Sequence, residues 1–267
     1  MQRVAVLTSG GDAPGMNAAL RAVVRVGSAR DLEIIGVRQG FSGLIDGQLR
    51  PLGARDVAGI IHLGGTMLGS ARAPEFREPE GRDRALAILN KHRIDGIVVI
   101  GGNGSLAGAH ALSTSGFPVV GVASTIDNDV NGADITIGVD TALNIALEAI
   151  DRLKTTASSH QRAFLVEVMG RNFGYLALMA GIAGGADVVV IPEVETDPDA
   201  VVRGLKDAYT LASHTGAAAV DRLVAGESGT FIALVKGSIA ALPLVRVLTP
   251  KPPPDPELVK LAQLLAR

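Results

Sequence analysis

The chain has 267 residues, with 25 Lys and Arg against 27 Asp and Glu, a formal net charge of −2 and no cysteine. Disulfide frameworks, thiolate metal sites and cysteine catalysis are excluded. With 3% aromatic residues, no Trp and no basic excess, the chain has neither the field nor the stacking platform that nucleic acid needs.

At this length the chain can bury a sizeable core, as one large domain or two smaller ones. The apolar run Val4–Leu7 reads as a buried parallel strand that enters Gly10-Gly11-Asp12, and Asn17–Val24 reads as the following helix, with Pro14 near its start. Glycine at such a turn allows positive φ and close backbone approach, and the amides of a helix start attract anions. A tight turn without a ligand is the plain alternative. Ile34–Val37 is the next strand. Ile97–Ile100 then repeats the first arrangement, leading into Gly101-Gly102-Asn103-Gly104-Ser105 and a helix from about Leu106 to Leu112. Val119–Val122 precedes the carboxylate cluster Thr125-Ile126-Asp127-Asn128-Asp129. A helix from Thr141 carries Leu143, Ala146, Leu147, Ile150 and Leu153 on one face, as a bridge between two sheets would.

Phe164–Val168 and Val188–Ile191 read as further strands. The stretch Phe173–Pro192 is apolar apart from Asp187, but Gly184-Gly185 divides it into pieces too short to cross a bilayer, so no membrane span is expected. Asp197-Pro198 opens a helix whose pattern continues toward Ala225, and no strand-like run lies between Pro192 and Phe231–Val235. Pro250–Pro256 reads as a stiff connector ahead of a short helix, Glu257–Leu265. The N-terminus enters a strand with no secretory-type apolar region, and a cytoplasmic address is expected.

Alternating strands and helices imply an α/β fold with a parallel sheet covered on both faces. Ligands of such sheets sit beyond the carboxyl ends of the strands, where both glycine loops and the Asp127 cluster fall. Two phosphate cradles and a carboxylate able to take a hydroxyl proton suggest phosphoryl transfer. For Asp127 the alternative is a turn-capping aspartate.

Leu7-Thr8-Ser9-Gly10-Gly11-Asp12-Ala13-Pro14-Gly15-Met16-Asn17, Gly69-Ser70-Ala71-Arg72, Thr125–Asp129, Ser159-His160-Gln161-Arg162 and Glu167-Val168-Met169-Gly170-Arg171 together resemble the 6-phosphofructokinase family, without obvious gaps from Met1 to about Tyr209. The resemblance implies two three-layer doubly wound domains with mainly parallel sheets. Residues 1–138 with about 211–235 would bind nucleotide, and residues 139–210 with about 236–267 would bind sugar phosphate. It further implies a homotetrameric glycolytic enzyme that transfers the terminal phosphoryl group of ATP to the 1-hydroxyl of fructose 6-phosphate with Mg2+. By resemblance Asp127 is the base, Thr125 stands beside it, and Arg171 stabilises the transition state. Gly11, Arg72, Gly102, Asn103, Gly104 and Ser105 resemble the nucleotide site. Thr125, Asp127, Arg162, Met169, Gly170 and Arg171 resemble the sugar-phosphate site, Arg162 reaching that of a neighbouring subunit. Asn103 and Asp129 resemble the metal site, and Arg21, Arg25 and Asp187 an effector site.

The chain departs from the family at several positions. Asn103 replaces an aspartate, which weakens the hold on magnesium and implies either altered metal handling or drift toward regulation. Gly104 and the absence of a lysine before Thr125 argue for ATP over pyrophosphate, although Ser124 replaces a glycine. Ala54 replaces an effector arginine, so a weak or absent effector response is expected. Leu211–Val220 resembles a later helix of the family. The strand with a sugar-binding glutamate and the Gly-His-x-x-Arg-Gly-Gly region, which should precede that helix, have no counterpart. The alternatives are a catalytically weak regulatory nucleotide-binding paralogue, a kinase of another sugar phosphate, and a pyrophosphate-dependent enzyme.

Overall fold

The computed structural model describes residues 1–160, 162–226, 228, 230–235, 238–243 and 245. The expected Pro250–Pro256 connector and Glu257–Leu265 helix lie outside the described residues. Two compact units result. The first comprises Met1–Arg152, Val166–Gly184 and Val190–Glu193, and the second Leu153–Leu165, Gly185–Val189 and Val194–Arg267.

The first unit is built on six strands: β1 (Arg3–Ser9), β2 (Glu33–Val37), β3 (Leu49–Leu52), β4 (Gly96–Gly101), β5 (Val119–Thr125) and β6 (Ile137–Gly138). Their order is β3-β2-β1-β4-β5-β6, parallel throughout except that β3 runs antiparallel to β2. Helices α1 (Met16–Ser28), α2 (Gly40–Ile45), α3 (Pro79–Lys91) and α4 (Asn103–Thr114) pack on this sheet, and α5 (Val139–His160) follows it. The continuous apolar sequence of β1 follows from burial on both faces. Val4 and Val6 join Met16, Leu20 and Val24 of α1 in one cluster, while Ala5 and Leu7 join Phe41, Leu44, Leu89, Ala109 and Leu112 of α2, α3 and α4 in another. The unit is thus a three-layer α/β structure. Sequence periodicity had located β1, β2, β4, β5, α1 and α4. It had not located β3, only four residues long and interrupted by Arg50 and Pro51, α2, a six-residue helix containing two glycines, or α3.

Glycine in α2 is dictated by space. A Cβ at Gly43 would fall 1.7 Å from the carbonyl oxygen of Arg38, a main-chain atom that cannot swing away. Gly43→Ala is therefore expected to destabilise the chain. The clash costs about 3 kcal/mol or more, against a helix-propensity gain of at most about 1 kcal/mol. Urea unfolding monitored by circular dichroism checks this, and an unchanged midpoint would refute the packing at that turn.

In the second unit, α7 (Pro198–Val224) is one continuous 27-residue helix. Asp197 caps it through its Oδ1, which accepts from the amide of Asp199 at 2.9 Å, and pairs with Arg203 at 3.1 Å. The pattern that continues from Asp197 toward Ala225 is thus a single helix, which joins two stretches that resemble separate helices of the family. Strands β7 (Thr230–Val235) and β8 (Ser238–Pro243) then form an antiparallel hairpin. The expected strands Phe164–Val168 and Val188–Ile191 are not formed among the described residues. An apolar run becomes a strand only where a neighbouring ladder completes its backbone hydrogen bonds. Among the described residues the chain after Ile191 enters α7 and returns no strand beside either run. Helix α6 (Tyr175–Gly184), which belongs to the first unit, ends at the expected glycine pair, and among the described residues no helix is long and apolar enough to cross a membrane.

Candidate active site

Strand register brings three of the sequence motifs to one edge. Ser9 is paired with Gly101 across β1 and β4, and Gly101 with Ala123 across β4 and β5, so all three strands end at the same level. Gly10-Gly11, Gly101–Ser105 and Thr125–Asp129 therefore emerge side by side at three adjacent carboxyl ends. Between β1 and β4 the winding of the sheet reverses direction, and such a switch point opens a crevice for a ligand.

The two glycine turns meet over Ser105, which is buried in the first turn of α4. A Cβ on Gly101 would lie 2.4 Å from the Ser9 carbonyl oxygen and 2.6 Å from Ser105 Oγ, and one on Gly10 would lie 3.2 Å from the same Oγ. Glycine is required there by the protein itself. Gly11 and Gly104 differ. Neither adopts a left-handed φ, and a Cβ on either meets no atom within 4 Å. No contact of the described residues explains their lack of a side chain, and the free space in front of their backbones is what a phosphate or nucleotide approaching closely would use. Gly102 faces Thr125, with 3.4 Å from its built Cβ to the Thr125 Cβ.

The carboxylate loop is held by its own side chains. The Thr125 hydroxyl accepts from the Asp127 amide at 3.2 Å. Asn128 sits at φ 54°, accepts the Thr136 amide at 2.9 Å and donates to the Asp134 carbonyl at 3.2 Å. Thr136, 2% exposed, donates its hydroxyl to the Thr125 carbonyl at 2.7 Å. Sequence reading missed Thr136, because a threonine eight residues beyond Asn128 carries no local signal. Partial burial, and then the negative charge of Asp129, push the Asp127 carboxyl above its ordinary value. Asn103 Nδ2 donates to the Asp129 main-chain carbonyl at 3.1 Å, which joins the second glycine loop to the carboxylate loop.

Arg72 is exposed and has no hydrogen-bond or ion-pair partner among the described residues. Met169, Gly170 and Arg171 belong to the first unit, with Arg171 at φ 43°, and Gly170 closes a turn by accepting from Phe173 at 2.6 Å. No hydrogen bond among the described residues links them to the glycine loops. Arg162 and Asp187 belong to the second unit. On α1, Arg25 is exposed, while Arg21 has a buried Nε without a partner among the described residues.

A family model described as Phosphofructokinase matches residues 3–234, most of the chain. The chain belongs to the phosphofructokinase family. Curated family members include the ATP-dependent 6-phosphofructokinase of Thermotoga neapolitana, 44% identical over 319 aligned positions that cover 100% of both proteins. The ATP-dependent 6-phosphofructokinase of Streptococcus equi subsp. zooepidemicus is 56% identical over 209 residues, 78% of this chain and 62% of that protein. Against the Thermotoga phosphofructokinase, 319 aligned positions face only 267 residues, so at least 52 positions have no counterpart here. Among solved structures, phosphofructokinase from Saccharomyces cerevisiae gives a TM-score of 0.71 at 33% identity over 92% of this chain and 45% of the yeast chain. The pyrophosphate-dependent phosphofructokinase of Marinobacter aquaeolei shares the fold, with a TM-score of 0.65 at 19% identity over 92% of this chain and 84% of that one.

Proposed function

We propose that the chain transfers the terminal phosphoryl group of ATP to the 1-hydroxyl of fructose 6-phosphate, giving fructose 1,6-bisphosphate. The observation that carries this reading is the alignment of two glycine turns and the Asp127 loop at the ends of β1, β4 and β5. The names of the relatives supply the substrates, and the open space before Gly11 and Gly104 supports a nucleotide donor.

In this reading the triphosphate lies over Gly11, Gly102, Gly104 and Ser105, where main-chain amides and the start of α4 offer donors. Arg72 neutralises phosphate charge on the donor side. Arg171, and Arg162 toward a neighbouring subunit, serve the sugar phosphate, for which arginine's fork geometry suits better than lysine's point charge. Thr125, Met169 and Gly170 line the sugar side. The 1-hydroxyl attacks the terminal phosphorus in line, Asp127 takes the hydroxyl proton, the bond to the bridging oxygen breaks, and ADP leaves. A base near 7 is the most useful, and the upward push on Asp127 moves it in that direction.

Magnesium fits the donor chemistry of this loop. Asp129 presses its charge on Asp127, a repulsion that a divalent cation relieves, and Asn103 adds a neutral amide oxygen. When bound, the ion supplies charge neutralisation on the phosphate oxygens. We assign the nucleotide to residues 1–138 with about 211–235 and the sugar phosphate to 139–210 with about 236–267. Arg21, Arg25 and Asp187 are assigned to an effector site, and the chain to a cytoplasmic homotetramer.

The test is a coupled assay of the purified chain with fructose 6-phosphate and either magnesium ATP or magnesium pyrophosphate. Turnover with ATP and none with pyrophosphate is expected. Turnover with pyrophosphate alone would overturn the donor assignment, and ATP binding without turnover would overturn the kinase reading.

A further inference from the structure

The chain between β3 and Pro74 contains no helix or strand, yet its later part is tied to the first strand and helix by side chains that the mechanism above does not use. Asn17, 2% exposed on α1, satisfies its whole carboxamide there. Its Nδ2 donates to the carbonyls of Leu63 at 3.0 Å and Gly64 at 3.2 Å, and its Oδ1 accepts the Met67 amide at 2.8 Å. Thr8, fully buried in β1, donates its hydroxyl to the Gly69 carbonyl at 3.0 Å. With its one proton so used, Thr8 accepts from the Thr66 hydroxyl at 2.7 Å. The Gln39 amide binds the Leu68 carbonyl at 2.9 Å, Leu68 is inserted in the core, and the Ser70 hydroxyl donates to the carbonyl of Gly10.

These contacts form a ladder that lowers the loop from Leu63 to Ser70 onto the first glycine turn. Arg72 follows two residues after Ser70, within about 7 Å of chain from it. We propose that Asn17 and Thr8 are positioning residues, which fix this loop so that the Arg72 guanidinium is held at the phosphates of the donor nucleotide. The inference rests on the reading of Gly10-Gly11 and Arg72 as part of that nucleotide site. A loop of this length, free of regular structure, would otherwise leave Arg72 to sample many positions, and ordering it on binding would cost affinity. The residue types are specific to the task. Two carbonyl acceptors and one amide donor match a carboxamide, whereas the isosteric carboxylate introduced by Asn17→Asp would turn a negative charge toward two carbonyl oxygens.

The test is calorimetric titration of the full chain with magnesium ATP for Thr8→Val, Thr8→Ser, Asn17→Asp, Arg72→Ala and the double variant Thr8→Val with Arg72→Ala, alongside melting temperatures. Thr8→Val keeps the shape and removes the hydroxyl. It is expected to weaken ATP binding about tenfold, Thr8→Ser to restore it to within about threefold, and Thr8→Val to add nothing once Arg72 is gone, since residues acting through one contact are non-additive. Asn17→Asp is expected to weaken ATP at least as much as Thr8→Val. Thr8→Val supplies the result should Asn17→Asp fail to fold. Additive losses in the double variant, or a lower melting temperature with ATP affinity unchanged, would overturn the positioning role. A parent chain that binds no ATP, or one whose Arg72→Ala variant binds it normally, would instead overturn the nucleotide site itself.

Discussion

Asp127→Asn is expected to lower turnover by about 10²–10⁴-fold, the usual contribution of a positioned general base, while leaving magnesium ATP binding within a few-fold of the parent. The amide keeps the shape and the Thr125 contact to the residue 127 backbone, so the loop stays formed. The same change is expected to raise the melting temperature of the metal-free protein at neutral pH. Burial and Asp129 raise the carboxyl's pKa in the folded state, so the folded chain holds that proton more tightly than the unfolded one. Stability from this group is then present below the unfolded value and is lost as pH rises through the raised folded value. Removing the charge recovers that loss at neutral pH and has no such effect at low pH. Melting curves at both ends of this range, paired with the coupled assay, check the two halves together. Full turnover in the Asn variant would remove Asp127 from the base role, and a lower melting temperature at neutral pH would contradict the electrostatic reading of the loop.

Gly104→Asp is expected to separate binding from folding. A Cβ at Gly104 meets nothing within 4 Å, and a carboxylate in the first turn of α4 suits the positive end of the helix. Stability should therefore change by no more than about 0.5 kcal/mol. Against ATP phosphates, however, the new charge opposes like charge at the cost of several kcal/mol, so affinity is expected to fall about 100-fold or more. Calorimetry with magnesium ATP reads the effect. An unchanged dissociation constant would show that the triphosphate does not pass over this loop.

The legible parts of the chain were those in which local pattern and structure share a cause. Val4–Leu7 and Ile97–Ile100 are apolar on every residue because both sheet faces are covered, and a glycine turn after such a run lies at a carboxyl end by construction. Asp197-Pro198 marked a helix start because the cap is built from adjacent residues. Phe164–Val168 and Val188–Ile191 carry the same kind of pattern, but a strand also needs neighbours, and neighbours are set by the rest of the chain. The supports of the site were equally hidden. Thr136 under the carboxylate loop, and Thr8 and Asn17 beneath the Arg72 loop, act across 8 to 61 residues of sequence, where no local periodicity reports them.

All six strands of the main sheet are drawn from the stretch that ends at Gly138. Each ladder that aligns the two glycine turns with Asp127 is thus complete before α5 begins. During synthesis this sheet can form its hydrogen bonds while the remainder is still being made, because domains fold as units from the N-terminal side. The same order shelters this half of the protein from what happens later in the chain. A lineage can lengthen, shorten or fuse the segments after α5, as the long helix α7 illustrates, without rewriting the register that sets the two glycine turns beside the Asp127 loop.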